Sequence, residues 1–312
     1  MSQFDASATA SAVELAPAPP GRRRATRRAG GDRPRRARRT SVFWLSAPLI
    51  LIAVTVVVLP WTGLLHDPHQ QDLGNPLAPP AVLSGGEWSH PLGTDKLGQD
   101  VLARLVEGGR LTLLIGLVGA LVAIGPGTLV GVLAGYCRGW VDVVVSRVID
   151  AQLALPFILI ALAVIASQGS SLPILFLVLA LTGWAPCARV TRSVAMTVRE
   201  RQFVLGLRAA GASEVRIVLR HVVPNLAGTI VALGTLQVGT AILVESALSF
   251  LGLGIVPPDI SWGAMLASGQ DVLSRAWWVA AFPGLAITVV VLLVNLLGDA
   301  LLTHHDPRKR RR

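Results

Sequence analysis

Apolar residues arrive along this chain in long uncharged runs, unlike the alternating or one-sided stripes of a water-soluble fold. The first run, residues 42–65, has no charge between positions 42 and 59 and reaches the ~20 residues needed to cross bilayer hydrocarbon. Trp44 and Trp61 stand near its two ends, as interfacial aromatics do. Further runs follow at about 111–136, 151–167, 172–190, 226–251 and 278–302. The second is rich in glycine, with Pro126 near its middle. Small residues let membrane helices approach closely, and a mid-span proline is tolerated where neighbours satisfy the backbone. The pattern predicts an all-α polytopic membrane protein with six transmembrane helices. A cleaved signal is the rival reading of the first run, because Arg38-Arg39 precedes it. No small-x-small cleavage site follows Leu59, however, and more spans come later.

Composition agrees. Of 312 residues, 52% are hydrophobic and 15% charged, against about 25% charged in soluble domains; the mean hydropathy is +0.60. An ordinary soluble enzyme is excluded, as is a disulfide scaffold, since two cysteines cannot staple this length. Cys137 and Cys187 fall near the cytoplasmic ends of their expected spans, with no second sulfur or histidine at ligand spacing, so no metal is expected there.

A net charge of +10 and a pI near 11.3 would suit nucleic acid, but the basic residues border the apolar runs, where orientation signals sit. With alternate sides at each span and a cytoplasmic N-terminus, the inner segments hold ten basic residues before the first span and two at Arg138 and Arg147. Seven more lie between the fourth and fifth spans and five in the C-terminal tail, so 24 of the 28 lie inside. The outer segments keep Lys96, Arg104, Arg110 and Arg275. The expected topology is N-in, C-in. It divides the chain into a disordered Arg-rich cytoplasmic tail (1–41), a first transmembrane helix (42–65) and an extracytoplasmic segment (66–110). A transmembrane domain (111–302) with a cytoplasmic loop (196–225) and a basic cytoplasmic tail (303–312) complete it.

That loop carries the functional signal. Gly211 suits a left-handed helix end, Ser213 an N-cap, and Glu214 the positive end of a following helix. Val215, Val218, Leu219 and Val222 then fall on one apolar stripe. Two short helices are expected, joined at Gly211-Ala212-Ser213, the second stopped by Pro224. DNA binding, a lipid-surface helix and a helix seated in a cytoplasmic partner compete for this pattern.

The stretch Leu205-Gly206-Leu207-Arg208-Ala209-Ala210-Gly211-Ala212-Ser213, closed by His221-Val222-Val223-Pro224-Asn225, resembles the coupling loop, or EAA motif, of ABC-transporter permeases. Gly211 and Pro224 keep its spacing, while Leu205-Gly206-Leu207 replace the Glu-Ala-Ala start. His90-Pro-Leu-Gly-Thr-Asp-Lys-Leu-Gly-Gln-Asp100 resembles the pre-span signature of the dipeptide, oligopeptide and nickel permeases. Glu245-Ser-Ala-Leu-Ser-Phe-Leu-Gly-Leu-Gly254 with Ser261-Trp262-Gly263 is similar to that group's fifth-span end and outer loop. The likeness covers about residues 42–308 and favours the C-type subunit.

The resemblance implies a membrane-spanning permease subunit of an ATP-binding-cassette importer in the plasma membrane. It implies a homologous B-type permease, two ATP-binding subunits and an extracytoplasmic solute-binding protein as partners, with no role for nucleic acid. The chain has no Gly-x-x-x-x-Gly-Lys-Ser/Thr loop, and its only lysines are Lys96 and Lys309. It is therefore expected to bind no cofactor and to be no enzyme, ATP and Mg²⁺ belonging to the partner ATPases. The implied coupling residues are Arg208, Ala209, Ala210, Gly211, Ala212, Ser213, His221 and Pro224. An ion-coupled secondary transporter is the alternative; it would need ionisable residues in mid-span, and only Glu245 comes close. Glu245, with Ser246 and Ser249, is expected on the translocation path, against a structural role for the same carboxylate. Asp150 is expected at a helix start, paired with Arg147.

Overall fold

The computed structural model describes residues 36–63 and 65–305, and all regular structure among them is helical. The helices are α1 (Arg36–Val58), α2 (Val101–Cys137), α3 (Gly139–Ala154), α4 (Phe157–Gln168) and α5 (Leu172–Arg199). Then come α6 (Gln202–Ala209), α7 (Glu214–Ile217), α8 (Val223–Phe250), α9 (Trp262–Gly269) and α10 (Trp278–His305). Four helical stretches are long and apolar enough to cross a membrane, and five if α3 and α4 together make one span. Their outward leucines, such as Leu117, Leu121, Leu129, Leu285 and Leu292, are exposed. In water that would be costly; in hydrocarbon it costs nothing.

Small residues set the tightest seam, between α2 and α5. A Cβ at Gly127 would strike Trp184 O and the Cys187 side chain, one at Gly131 would strike Ala188 O and Thr191 Oγ1, and one at Gly135 would strike Arg192 O. These glycines recur every fourth residue, on one face of α2. Backbone contact at this range replaces the hydrophobic effect, which cannot drive association between helices in lipid. On the other side, α8 packs between α2 and α10, and Trp262 from α9 donates through Nε1 to Leu105 O at 2.7 Å.

Three expectations are corrected. The third span is not one straight helix, because α3 and α4 meet at 85°. Pro156 lacks an N–H and forces Leu155 into an extended conformation (φ −84°, ψ 130°), which ends α3 there. Asp150 lies inside α3 and pairs with Arg189 at 2.6 Å, instead of opening a helix beside Arg147. Residues 36–41 belong to α1 and not to a disordered tail; residues 1–35 and 306–312 of the two basic tails lie outside the described residues. In addition, α2 begins at Val101, so the last ten residues of the 66–110 segment are already helix.

Candidate functional site

The end of α5 leads through Glu200 and Arg201 into α6. Helix α6 stops as its sequence suggests. Gly211 takes φ +79°, its N–H bonds Arg208 O at 2.9 Å, and the Ala212 N–H bonds Leu207 O at 3.1 Å. That pair of bonds is a Schellman closure, and Ala212 and Leu207 both pack on the same apolar cluster, completing it. Ser213 then occupies the N-cap position in an extended conformation. Its carbonyl accepts the Ile217 N–H at 3.0 Å, but its hydroxyl caps nothing.

Pro224 does not stop the second helix. A π-helical turn over Val218–Val222 joins α7 to α8, so one helical run continues from Glu214 to Phe250. A proline clashes with the carbonyl four residues back and offers it no N–H. The wider turn absorbs the defect, with the Val223 N–H bonding Val218 O. The Asn225 side chain donates to His221 O at 2.7 Å. Ile217 and Val222 are buried, whereas Val215 and Leu219 of the expected apolar stripe are 69% and 65% exposed. They line an apolar groove of about 810 Å³ against Leu129 and Leu133 of α2.

The turn is braced by a residue that sequence patterns passed over, Tyr136, the only tyrosine of the chain. It stands in the last turn of α2 and donates its hydroxyl to Glu214 Oε2. The same carboxylate takes Arg208 Nε at 3.0 Å. The Arg208 and Arg199 guanidinium groups lie 5.4 and 5.5 Å from the Tyr136 ring centre, within cation–π range. The Tyr136 hydroxyl and then Glu214 hold the Arg208 pKa above its ordinary value. Further pairs tie the ends of neighbouring helices, Arg138 to Glu200 and Arg192 Nη2 to Asp142 Oδ2 at 2.8 Å. Of the expected coupling residues, Ala209, Ala210, Gly211, Ser213 and Pro224 are exposed, while Arg208, Ala212 and His221 are half-buried. Small side chains thus form an outer edge over a cross-linked base.

At the other end of the same helical run, Glu245 is fully buried. Its Oε1 accepts Ser249 Oγ and Ser261 Oγ, each at 2.7 Å, and Ser246 Oγ lies 3.4 Å from Oε2. The Ser261 hydroxyl in turn accepts the Ala264 N–H, capping α9. Gly263 lets α9 sit directly on α8, since a Cβ there would meet Ser246 Cα at 2.7 Å. Glu245, Ser246 and Ser249 are brought together, and the described residues leave none of the carboxylate exposed to solvent.

Comparison with known proteins places this architecture. The family of inner-membrane components of binding-protein-dependent transport systems matches residues 127–311, and the chain belongs to it. It is a multi-pass membrane permease component of ABC-type transport and not an enzyme, so the ion-coupled alternative falls away. The di/tripeptide transport system permease protein DppC of Pseudomonas aeruginosa is 40% identical over 260 residues, 83% of this chain and 86% of that protein. The oligopeptide transport system permease protein OppC of Mycobacterium bovis is 38% identical over 275 residues, 87% and 91% of the two chains. In fold, the chain is similar to one from the inward-facing MetNI methionine ABC transporter, with a TM-score of 0.54 and 19% identity. The match covers 66% of this chain and 97% of that one.

Proposed function

We propose that this chain is the C-type permease of a peptide importer, and that the Arg208–Pro224 turn seats in the ATPase subunits that drive it. The observation that carries the coupling role is the Schellman-closed turn, exposed along Ala209, Ala210, Gly211 and Ser213 and braced through Glu214 to α2. A coupling element must be stiff, because a loose loop absorbs displacement. The peptide substrate class rests on the similarity to DppC and OppC. A second permease, two ATP-binding subunits carrying ATP and Mg²⁺, and an extracytoplasmic binding protein complete the assembly. ATP-driven closure of the ATPase pair would move the turn, swing the spans and alternate access to a central path.

The charge distribution supports six spans with both termini inside. Reporter fusions after Arg39, Glu87, Gln202, Ser268 and Arg312 are expected to read in, out, in, out, in; a cytoplasmic signal at Glu87 would overturn that topology. For coupling, a cysteine at Ser213 is expected to cross-link to an ATPase subunit in the assembled complex, and absence of any such product would remove the turn as the contact.

For Glu245 the three-serine cage favours a structural reading over a place on the path. Glu245→Gln keeps the shape and removes the charge. The cage reading expects a less stable complex whose remaining copies transport normally. The path reading expects a stable complex with weakened uptake of cationic or zwitterionic solutes.

A further inference from the structure

Beyond the 66–100 loop's role as a connection, three of its side chains converge where α2 begins. His66 follows the 3₁₀ turn at Leu59–Thr62, His90 belongs to the Gly- and Pro-rich stretch, and Asp100 is the N-cap of α2. One ligand atom from each lies within 4.8 Å of the others. We propose that His66, His90 and Asp100 form a binding site for a divalent transition ion of the zinc class, at the end of α2 opposite Tyr136.

The donor set suits such an ion. Two imidazole nitrogens, borderline ligands, beside one carboxylate oxygen favour Zn²⁺ and its neighbours over Ca²⁺ or Mg²⁺, which take all-oxygen shells. The distances suit it as well. In a tetrahedral site with bonds of ~2.0–2.1 Å, neighbouring donors stand about 3.3 Å apart. Here His90 Nδ1 is 2.8 Å and His66 Nδ1 3.7 Å from Asp100 Oδ2, one on either side of that spacing. The first distance is a hydrogen bond. The second is too long for one, yet close enough to share an ion after a shift of a few tenths of an ångström. The two rings, 5.2 Å apart and tilted by 37°, are not stacked flat on each other.

The surroundings orient the carboxylate. Asp100 is almost fully buried, and its Oδ1 is held by the Ala103 N–H at 2.8 Å, which leaves Oδ2 turned to the histidines. Such outer-shell bonds fix ligand direction in metal sites. The His66 side chain is 52% exposed, so an ion can enter, and three protein ligands leave a fourth position open. An ion held here would tie the exit of α1 to the start of α2 across the intervening loop.

The test uses the full-length chain in detergent, purified through a tag without histidine. His304 and His305 are replaced by alanine in every sample so that the tail does not contribute. Zn²⁺ is titrated against a chromophoric chelator and Co²⁺ is followed in the visible spectrum. One saturable ion per chain is expected, with the intense absorption of four-coordinate Co²⁺. His66→Ala and His90→Ala should each weaken binding by about 10- to 100-fold, the range known for disturbed metal shells, while His69→Ala should change nothing. Saturating Zn²⁺ should also raise the Tm of the parent and not of His66→Ala, since an ion bound only to the folded chain stabilises it. Because His66 is half-exposed, its variant folds even where His90→Ala does not. Absence of saturable binding, or an affinity unchanged by His66→Ala, would overturn the site.

Discussion

Glu214 and Glu245 stand on one helical run of 37 residues, and their surroundings differ in every respect. The Glu214 side chain is 58% exposed and partnered by a cation and a phenol. Glu245 is fully buried and, among the described residues, partnered by neutral serine hydroxyls. An exposed ion pair contributes about 0–1 kcal/mol and can be broken and remade in water. A buried acceptor that loses its donors costs about 1–3 kcal/mol for each orphaned group. One end of the run is therefore held by contacts that exchange readily with water, and the other by contacts that do not.

The largest effect is expected where the fixed end is destroyed. Glu245→Ala would leave Ser249 and Ser261 without their acceptor and a void beneath α9, a loss of roughly 2–5 kcal/mol by analogy with other buried truncations. It should appear as a clear fall in Tm of the detergent-purified complex; an unchanged Tm would mean that the two ends do not differ as described.

A smaller effect is expected at the turn. Beyond its chain neighbours, no described atom lies within 4 Å of a Cβ placed on Gly211, so Gly211→Val meets its own backbone strain, roughly 1–2 kcal/mol for a left-handed residue with a Cβ. The permease should still assemble in the membrane, and in proteoliposomes the ATPase rate and uptake should come apart. Full uptake at the normal rate would separate the turn from coupling.

Tyr136→Phe removes one hydroxyl from Glu214 and should cost about 1 kcal/mol. A fall in coupling efficiency without loss of assembly is expected, measured as solute moved per ATP hydrolysed. The smallest effect belongs to Arg208→Ala. It should lower that ratio less than Tyr136→Phe does, and the difference from the parent should shrink as salt rises, because exposed pairs are screened. An effect growing with salt would show that Arg208 acts through packing and not through charge.

Much of this was legible in the residues. Runs of apolar character marked the long helices, and the Gly211–Ser213 spacing marked a turn that the backbone forms as expected. What escaped depended on geometry that a linear pattern does not carry. Pro224 reads as a stop, yet a π turn carries the helix past it, and Val215 and Leu219 face outward. Leu155-Pro156 sits inside an apolar run that hides an 85° bend. Tyr136 lies 78 residues from Glu214, and no local spacing connects them. The Glu245 cage was half visible, because Ser246 and Ser249 stand nearby in sequence, while Ser261 arrives only through the fold of α9.

The unbroken run from Glu214 to Phe250 has a mechanical consequence. At 1.5 Å per residue it is a rod of roughly 55 Å, and a tilt of about 5° carries its far end about 5 Å. With α9 fastened to that far end, motion at the turn arrives as displacement of a second packed helix instead of dying out in a hinge. Thermodynamic linkage makes the traffic two-way: any ligand that favours one tilt at the α9 end must favour, by the same free energy, the matching state at the turn. Under the proposed coupling, a solute-laden partner pressing on the α9 end would alter nucleotide affinity at the turn without a second signalling element.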